Sequence, residues 1–450
     1  MTEMTDEILI KNARMVNDGQ ILDGDLLIRN GRIEQIGQDI PALSGTRVLQ
    51  ADGRMLLPGM IDDQVHFREP GLTDKADIRS ESRAAVAGGI TSFMEMPNTS
   101  PQTVSLEALE QKYTLAADRS LANFSFYLGA TNDNLAAIRA LGRNQTCGIK
   151  VFMGASTGNM LVDREETLEA IFKDASGLVA THCEDTPTIL KNEAEYREKF
   201  GEDVPMKFHP VIRSTEACYL SSSLAVELAR RHETRLHVLH LTSAREMELF
   251  EPGPLDGKRI TAEACIHHLF FDERDYQFKD TFIKCNPAIK TQADRDAIRK
   301  GLVEDRIDVI GTDHAPHTLA EKMNTYFKAP AGLPLVQWAL PMALELYHDR
   351  LISLEQLVEK TSHGPARLFN IVDRGYLREG YWADLVLLDL SSPYRVEREL
   401  VLYKCGWSPL EGSRLRSRVV ATFVNGQVAY YEGRVNDRVR GQRLMFDRPI

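Results

Sequence analysis

Ile307-Asp308-Val309-Ile310-Gly311-Thr312-Asp313-His314-Ala315-Pro316-His317 begins as a short apolar segment and ends in a carboxylate and two imidazoles. Such a run reads as a buried strand whose C-terminal end carries chemistry. The pattern recurs upstream. Met60-Ile61-Asp62-Asp63-Gln64-Val65 is followed by His66 and Arg68, and Ile90-Thr91-Ser92-Phe93-Met94-Glu95 by Asn98. Leu178-Val179-Ala180-Thr181 leads to His182 and Leu236-His237-Val238-Leu239 to His240, while Lys150 lies inside Ile149-Lys150-Val151-Phe152-Met153. Phe124 to Leu128 and Ile260 to Ile266 bring the strand-like runs to eight. Helical patterns, for example Ile78 to Ala87 and Ala217 to His232, lie between most of them. Strand and helix alternating eight times predicts an α/β fold with a (β/α)8 TIM barrel. The C-terminal strand ends of such a barrel converge on one face, so residues about 250 apart in sequence share one pocket.

The flanks read differently. Asp18-Gly19, Asp23-Gly24, Asn30-Gly31 and Asp52-Gly53 punctuate short apolar runs near the start, the pattern of strands joined by tight turns. Ala383 to Asp389 and Val419 to Val424, the latter followed by Asn425-Gly426, repeat it near the end. The expectation is a barrel over 58–377 and a small β-sandwich domain built from both termini, 1–57 and 378–450. With 43% of 450 residues hydrophobic and 26% charged, the chain can bury a large core. No apolar run approaches the ~20 residues that span a bilayer. The start, Met1 to Glu7, is acidic and lacks the basic-then-apolar order of a signal peptide. A net charge of −11 argues against a general nucleic-acid binder, yet leaves room for an anionic small molecule beside a local cation. The six cysteines are dispersed without a CxxC pair, as expected of reduced thiols in the cytoplasm.

Imidazole and carboxylate together suit zinc and similar ions, which makes His66, His182, His240 and Asp313 candidate ligands. Any one histidine read alone favours a hydrogen-bonded strand-end residue; four candidates at four strand ends together favour a metal. His237 and His240, three apart on one strand, are expected to face opposite ways, with His240 inward. His267 and His268 are adjacent, so at most one is expected to face the interior. Lys150 admits two readings from the residues alone. It is a salt-bridged lysine, or a desolvated lysine with a lowered pKa that reacts with carbon dioxide.

Several segments together resemble the cyclic amidohydrolases, and dihydroorotases most of all. These are Pro58-Gly59-Met60-Ile61-Asp62, Val65-His66-Phe67-Arg68-Glu69-Pro70-Gly71, Met96-Pro97-Asn98-Thr99, Thr181-His182-Cys183-Glu184-Asp185, Val238-Leu239-His240-Leu241-Thr242, Gly311 to His317, and Gly380 to Val386. Two positions depart from the commonest dihydroorotase pattern. Gln64 stands where the first metal-binding histidine is usual, and its neutral amide oxygen is a weaker zinc ligand than imidazole. Lys150 stands where many long dihydroorotases have aspartate, and is similar to the carboxylated lysine of hydantoinases and allantoinases.

The resemblance implies a small-molecule substrate and one or two Zn2+ ions. One site would use His66, carboxylated Lys150 and Asp313, with Gln64 as a weak ligand; the other would use Lys150, His182 and His240. A hydroxide between them would be the nucleophile, with Asp313 as catalytic base and then acid. Arg68, Asn98 and His317 would bind a substrate carboxylate, and Asn286 and Gly332 the pyrimidine ring. The implied reaction closes N-carbamoyl-L-aspartate to L-dihydroorotate in pyrimidine biosynthesis. A homodimer or larger assembly, and association with aspartate carbamoyltransferase, belong to the same expectation. The alternatives are another cyclic amidohydrolase, of hydantoinase or allantoinase type, and a non-catalytic scaffold, which the loss of a ligand at Gln64 would suit.

Overall fold

The computed structural model describes residues 7–154 and 158–448. Most of the acidic start, Met1 to Asp6, lies outside the described residues. The middle of the chain forms the expected parallel barrel. Its strands are β1 (Met60–Val65), β2 (Ile90–Glu95), β3 (Asn123–Phe126, continued by Leu128–Gly129), β4 (Ile149–Phe152), β5 (Val179–His182), β6 (Leu236–Val238), β7 (Ile260–Cys265) and β8 (Val309–Gly311). Neighbours pair in sequence order. The ring closes where Val65 bridges His314 and the His66 amide donates to the His314 carbonyl at 2.7 Å. Except for the half-buried Ile260, the strands are buried along their length. That explains why they read as continuous apolar runs and not as alternating ones.

Both termini meet in one nine-stranded sheet. Glu7–Asn17 pairs with Gln20–Arg29, Arg47–Gln50 and Met55–Pro58, and Met55–Pro58 pairs with Leu385–Asp389 from the far end of the chain. Ile10 and Ile28 share a buried cluster with Leu385, Leu387 and Phe423, so the N- and C-terminal parts have a common core. Gly59 alone separates this sheet from β1. A Cβ there would lie 2.2 Å from the Thr91 side chain, so only glycine lets the chain pass β2 as it enters the barrel.

The helix Ile78–Ala87 illustrates how the outer layer sets the inner one. Asp77 caps it by accepting from the Ser80 amide, satisfying a free backbone donor. Glu81, in its first turn, then accepts from His314 Nε2 at 2.9 Å, while His314 Nδ1 accepts from the Leu335 amide at 2.9 Å. His314 is thus fully used in holding β8 to the helix layer, leaving Asp313 to face the barrel mouth.

Candidate active site

The polar residues that follow the strands do meet. His66 Nε2 lies 3.0 Å from Asp313 Oδ1, and His66 Nδ1 lies 2.7 Å from Asn98 Oδ1. Both the Asn98 oxygen and an ionised Asp313 can only accept, so the single proton of a neutral His66 ring serves one of them at a time. Gln64 Nε2 donates to the same Asp313 oxygen at 3.1 Å, and Gln64 Oε1 faces the Cys265 thiol at 3.7 Å. Burial raises the Asp313 carboxyl, but the His66 hydrogen bond, with the fields of His66, His267 and Lys150, brings it below the ordinary value.

A second pair lies across the barrel. His182 Nδ1 is 2.9 Å from His240 Nε2, and His182 Nε2 donates to Glu184 Oε2 at 2.9 Å. Arg213 holds Glu184 at 2.5 Å. Burial would raise that carboxyl, yet the Arg213 charge and His182 bring it down to about 2. Glu184 therefore keeps the His182 proton on Nε2, which leaves the Nδ1 lone pair to accept from His240 Nε2. Both imidazoles are shifted below the usual histidine value, chiefly by burial, so both are neutral.

Lys150 is 1% exposed, and its charge is felt by Asp313, His182 and His240. Among the described residues it has no carboxylate within ion-pair distance, so the salt-bridge reading finds no partner. Its Nζ sits 4.7 Å from the Phe152 ring centroid. Burial pushes the amine down to about 8 against the opposing pull of Asp313 and Glu263. An amine that sheds its proton this readily is nucleophilic near neutral pH.

The donor set fits a divalent metal centre. His66 and His182 each set one ring nitrogen against an amide oxygen or a carboxylate, the arrangement typical of metal-bound histidine. A depressed carboxylate and a deprotonatable lysine complete it.

Several local expectations need correction. Arg68 lies beyond the strand: β1 ends at Val65 and Arg68 has φ +71°, so strand alternation does not govern it. His240 likewise lies beyond β6 with φ +40°. His237 is therefore buried too, bonded to Thr261 Oγ1 at 2.8 Å and to Asp63 Oδ2 at 3.1 Å. His267 and His268 open the short helix Ile266–Phe270, where neighbours are not forced to opposite faces, and both are buried.

Sequence reasoning left Asp63, Cys265 and Glu263 without a role. Asp63, His237 and Glu263 bring ligand atoms within 4.8 Å of one another, as do Cys265, His267 and His268. The signal was present in β7, where Glu263 and Cys265, two apart, share a face. Glu184 was also missed, although it lies two residues beyond His182.

Next to Asp313 lies a cation without a counter-ion. Arg68 is 7% exposed, its Nε donates to the Pro316 carbonyl at 3.0 Å, and among the described residues no carboxylate pairs with it. Burial pulls its guanidinium down to about 10, still charged at neutral pH. His317 is beside it. Asn286 Oδ1 is buried without a partner among the described residues. The Gly332 amide donates to the Lys284 carbonyl at 2.8 Å, and a Cβ on Gly332 would lie 3.0 Å from the His317 ring.

Residues 55–429 match the amidohydrolase family. The chain belongs to the amidohydrolase family. The dihydroorotase of Methanosarcina acetivorans is 32% identical, with 97% of this chain and 95% of the relative aligned. The allantoinase of Bacillus velezensis is 30% identical, with 96% and 95% aligned. The L-hydantoinase (dihydropyrimidinase) structure from Arthrobacter aurescens superposes with a TM-score of 0.91 at 26% identity, covering 97% of this chain and 99% of that one. This amidohydrolase carries its polar cluster at the C-terminal strand ends. No helix among the described residues is long and apolar enough to cross a membrane.

Proposed function

We propose that this amidohydrolase is a dihydroorotase, closing N-carbamoyl-L-aspartate to L-dihydroorotate and reopening it, as a step of pyrimidine synthesis. The observation that carries the reading is Arg68, a buried guanidinium with no carboxylate partner among the described residues, beside the Asp313–His66 pair. A desolvated cation kept unpaired favours an anionic ligand, and dihydroorotate differs from hydantoin in carrying a carboxylate. The relatives named dihydroorotase support the same choice.

Gln64, His66, Lys150, His182, His240 and Asp313 would hold one or two Zn2+ ions, with Lys150 as its carbamate. Metal held there supplies Lewis acidity and hydroxide at neutral pH. The chain's own groups do the rest. Asp313, ionised at rest, takes the proton released during attack on the ring amide and returns it to the leaving nitrogen. Arg68 holds the carboxylate, the Asn98 amide NH2 is free to assist, and Asn286 and Gly332 border the ring. Asn98 also orients His66. The reading extends to a cytoplasmic homodimer or larger assembly and to association with aspartate carbamoyltransferase, supported by the resemblance alone.

Turnover of L-dihydroorotate, hydantoin and allantoin by the zinc-loaded protein tests the assignment. Dihydroorotate is expected to be the preferred substrate, with carbamoyl aspartate cyclised in reverse. Preference for hydantoin or allantoin would transfer the site to the other cyclic amidohydrolases. Turnover of none of them would favour the scaffold reading.

A further inference from the structure

Arg68 has a neighbour that decides whether its guanidinium is free. His317 Nε2 lies 3.0 Å from Arg68 Nη2 and also 3.0 Å from the Ala331 carbonyl, while His317 Nδ1 lies 3.2 Å from Lys75 Nζ. An ammonium has only donors, so Nδ1 must accept and the ring proton must sit on Nε2. That proton goes to Ala331. Arg68 Nη2 then faces an N–H and cannot donate to it. With Nε spent on Pro316, both terminal nitrogens of the guanidinium lack an acceptor among the described residues.

We propose that Lys75 is a positioning residue that fixes the His317 tautomer and so keeps the Arg68 fork open for the substrate's anionic group. The inference rests on the carboxylate-binding reading of Arg68. Lys75 is itself placed by Glu321, whose carboxylate it meets at 2.7 Å. Glu321 is fixed in turn by the cap of Leu319–Lys322, accepting from the Thr318 amide at 2.9 Å. Burial, then the charges of Arg68, Lys322 and Lys75, keeps His317 neutral. Without Lys75, Nδ1 can take the proton. Nε2 would then accept from Arg68 and close one arm of the fork.

The test compares Lys75→Met, Lys75→Arg and Arg68→Met using L-dihydroorotate as substrate and 5,6-dihydrouracil, the same ring without a carboxylate, as competitive inhibitor. Lys75→Met is expected to raise KM for dihydroorotate about tenfold, the loss of one charge-assisted contact. Its kcat should change little and dihydrouracil binding should not change. Lys75→Arg, which keeps a donor, is expected to restore most of the loss. An unchanged KM, or equal losses for both ligands, would overturn the proposal if Arg68→Met still discriminates between them. If Arg68→Met does not discriminate, the carboxylate reading falls and takes this inference with it. A second measurement needs no variant: long-range 15N–1H correlation of His317 in the native protein should show the proton on Nε2, and a proton on Nδ1 would refute the proposal.

Discussion

Asp313 can shuttle a proton only if it rests ionised, and the His66 hydrogen bond and nearby positive charge keep it so despite complete burial. Asp313→Asn retains shape but cannot accept a proton. It is expected to abolish turnover of dihydroorotate while binding, read by calorimetry, stays near native. Native-like turnover would remove Asp313 from the chemistry. Lys150 gives a pH test. Carbon dioxide adds to the neutral amine, and burial sets the amine's pKa at about 8. The neutral fraction is about a tenth at pH 7 and about nine-tenths at pH 9. After metal and carbamate are stripped at low pH, reactivation by bicarbonate and zinc should therefore quicken as pH rises across this range. A rate that is flat or falls with pH would contradict carbamate formation at Lys150.

The elements that build the site are short strands whose last residues turn out of the strand conformation. Their apolar cores were legible: Ile90–Glu95 and Ile78–Ala87 occupy the residues expected of them, because complete burial leaves unbroken apolar runs and regular helical spacing. The side-chain directions at the strand ends were less legible. Arg68, His240 and Asp313 all have positive φ, at +71°, +40° and +47°, and a period-2 argument fails once the backbone leaves the β region. Such a conformation at a non-glycine residue has no signature in one sequence. The supporting groups were hidden for a different reason. Glu184 and Lys75 act through a histidine, and nothing in their spacing marks a partner that is distant along the chain. The segment bearing Gly332 makes an element-scale prediction. With φ +144° and Ala315 O 2.4 Å from where a Cβ would lie, Gly332→Ala must displace the segment from His317. A cost of about 1–3 kcal/mol is expected, visible as a lower urea midpoint together with a higher KM. Unchanged stability and KM would show that the segment yields without cost.

At the scale of the whole molecule, the barrel brings candidate ligands from five strands into two unequal halves. His182 and His240 bring two imidazole nitrogens to 2.9 Å of one another, whereas the half with His66 and Asp313 has an amide at Gln64 whose nitrogen already serves Asp313. Metal in the second half should be held more weakly. A mild chelator is expected to remove one ion readily, and Gln64→His should tighten that site while leaving the other unchanged. Two equally tight sites in native protein would show that the glutamine is no handicap. The sharpest single measurement is kcat/KM for L-dihydroorotate in native and Arg68→Met protein, with 5,6-dihydrouracil binding as reference. The account predicts that the native protein turns over dihydroorotate and that Arg68→Met loses at least about tenfold, with dihydrouracil binding unchanged. Native protein that binds the uncharged ring in preference to dihydroorotate, or a variant that loses both equally, would contradict it.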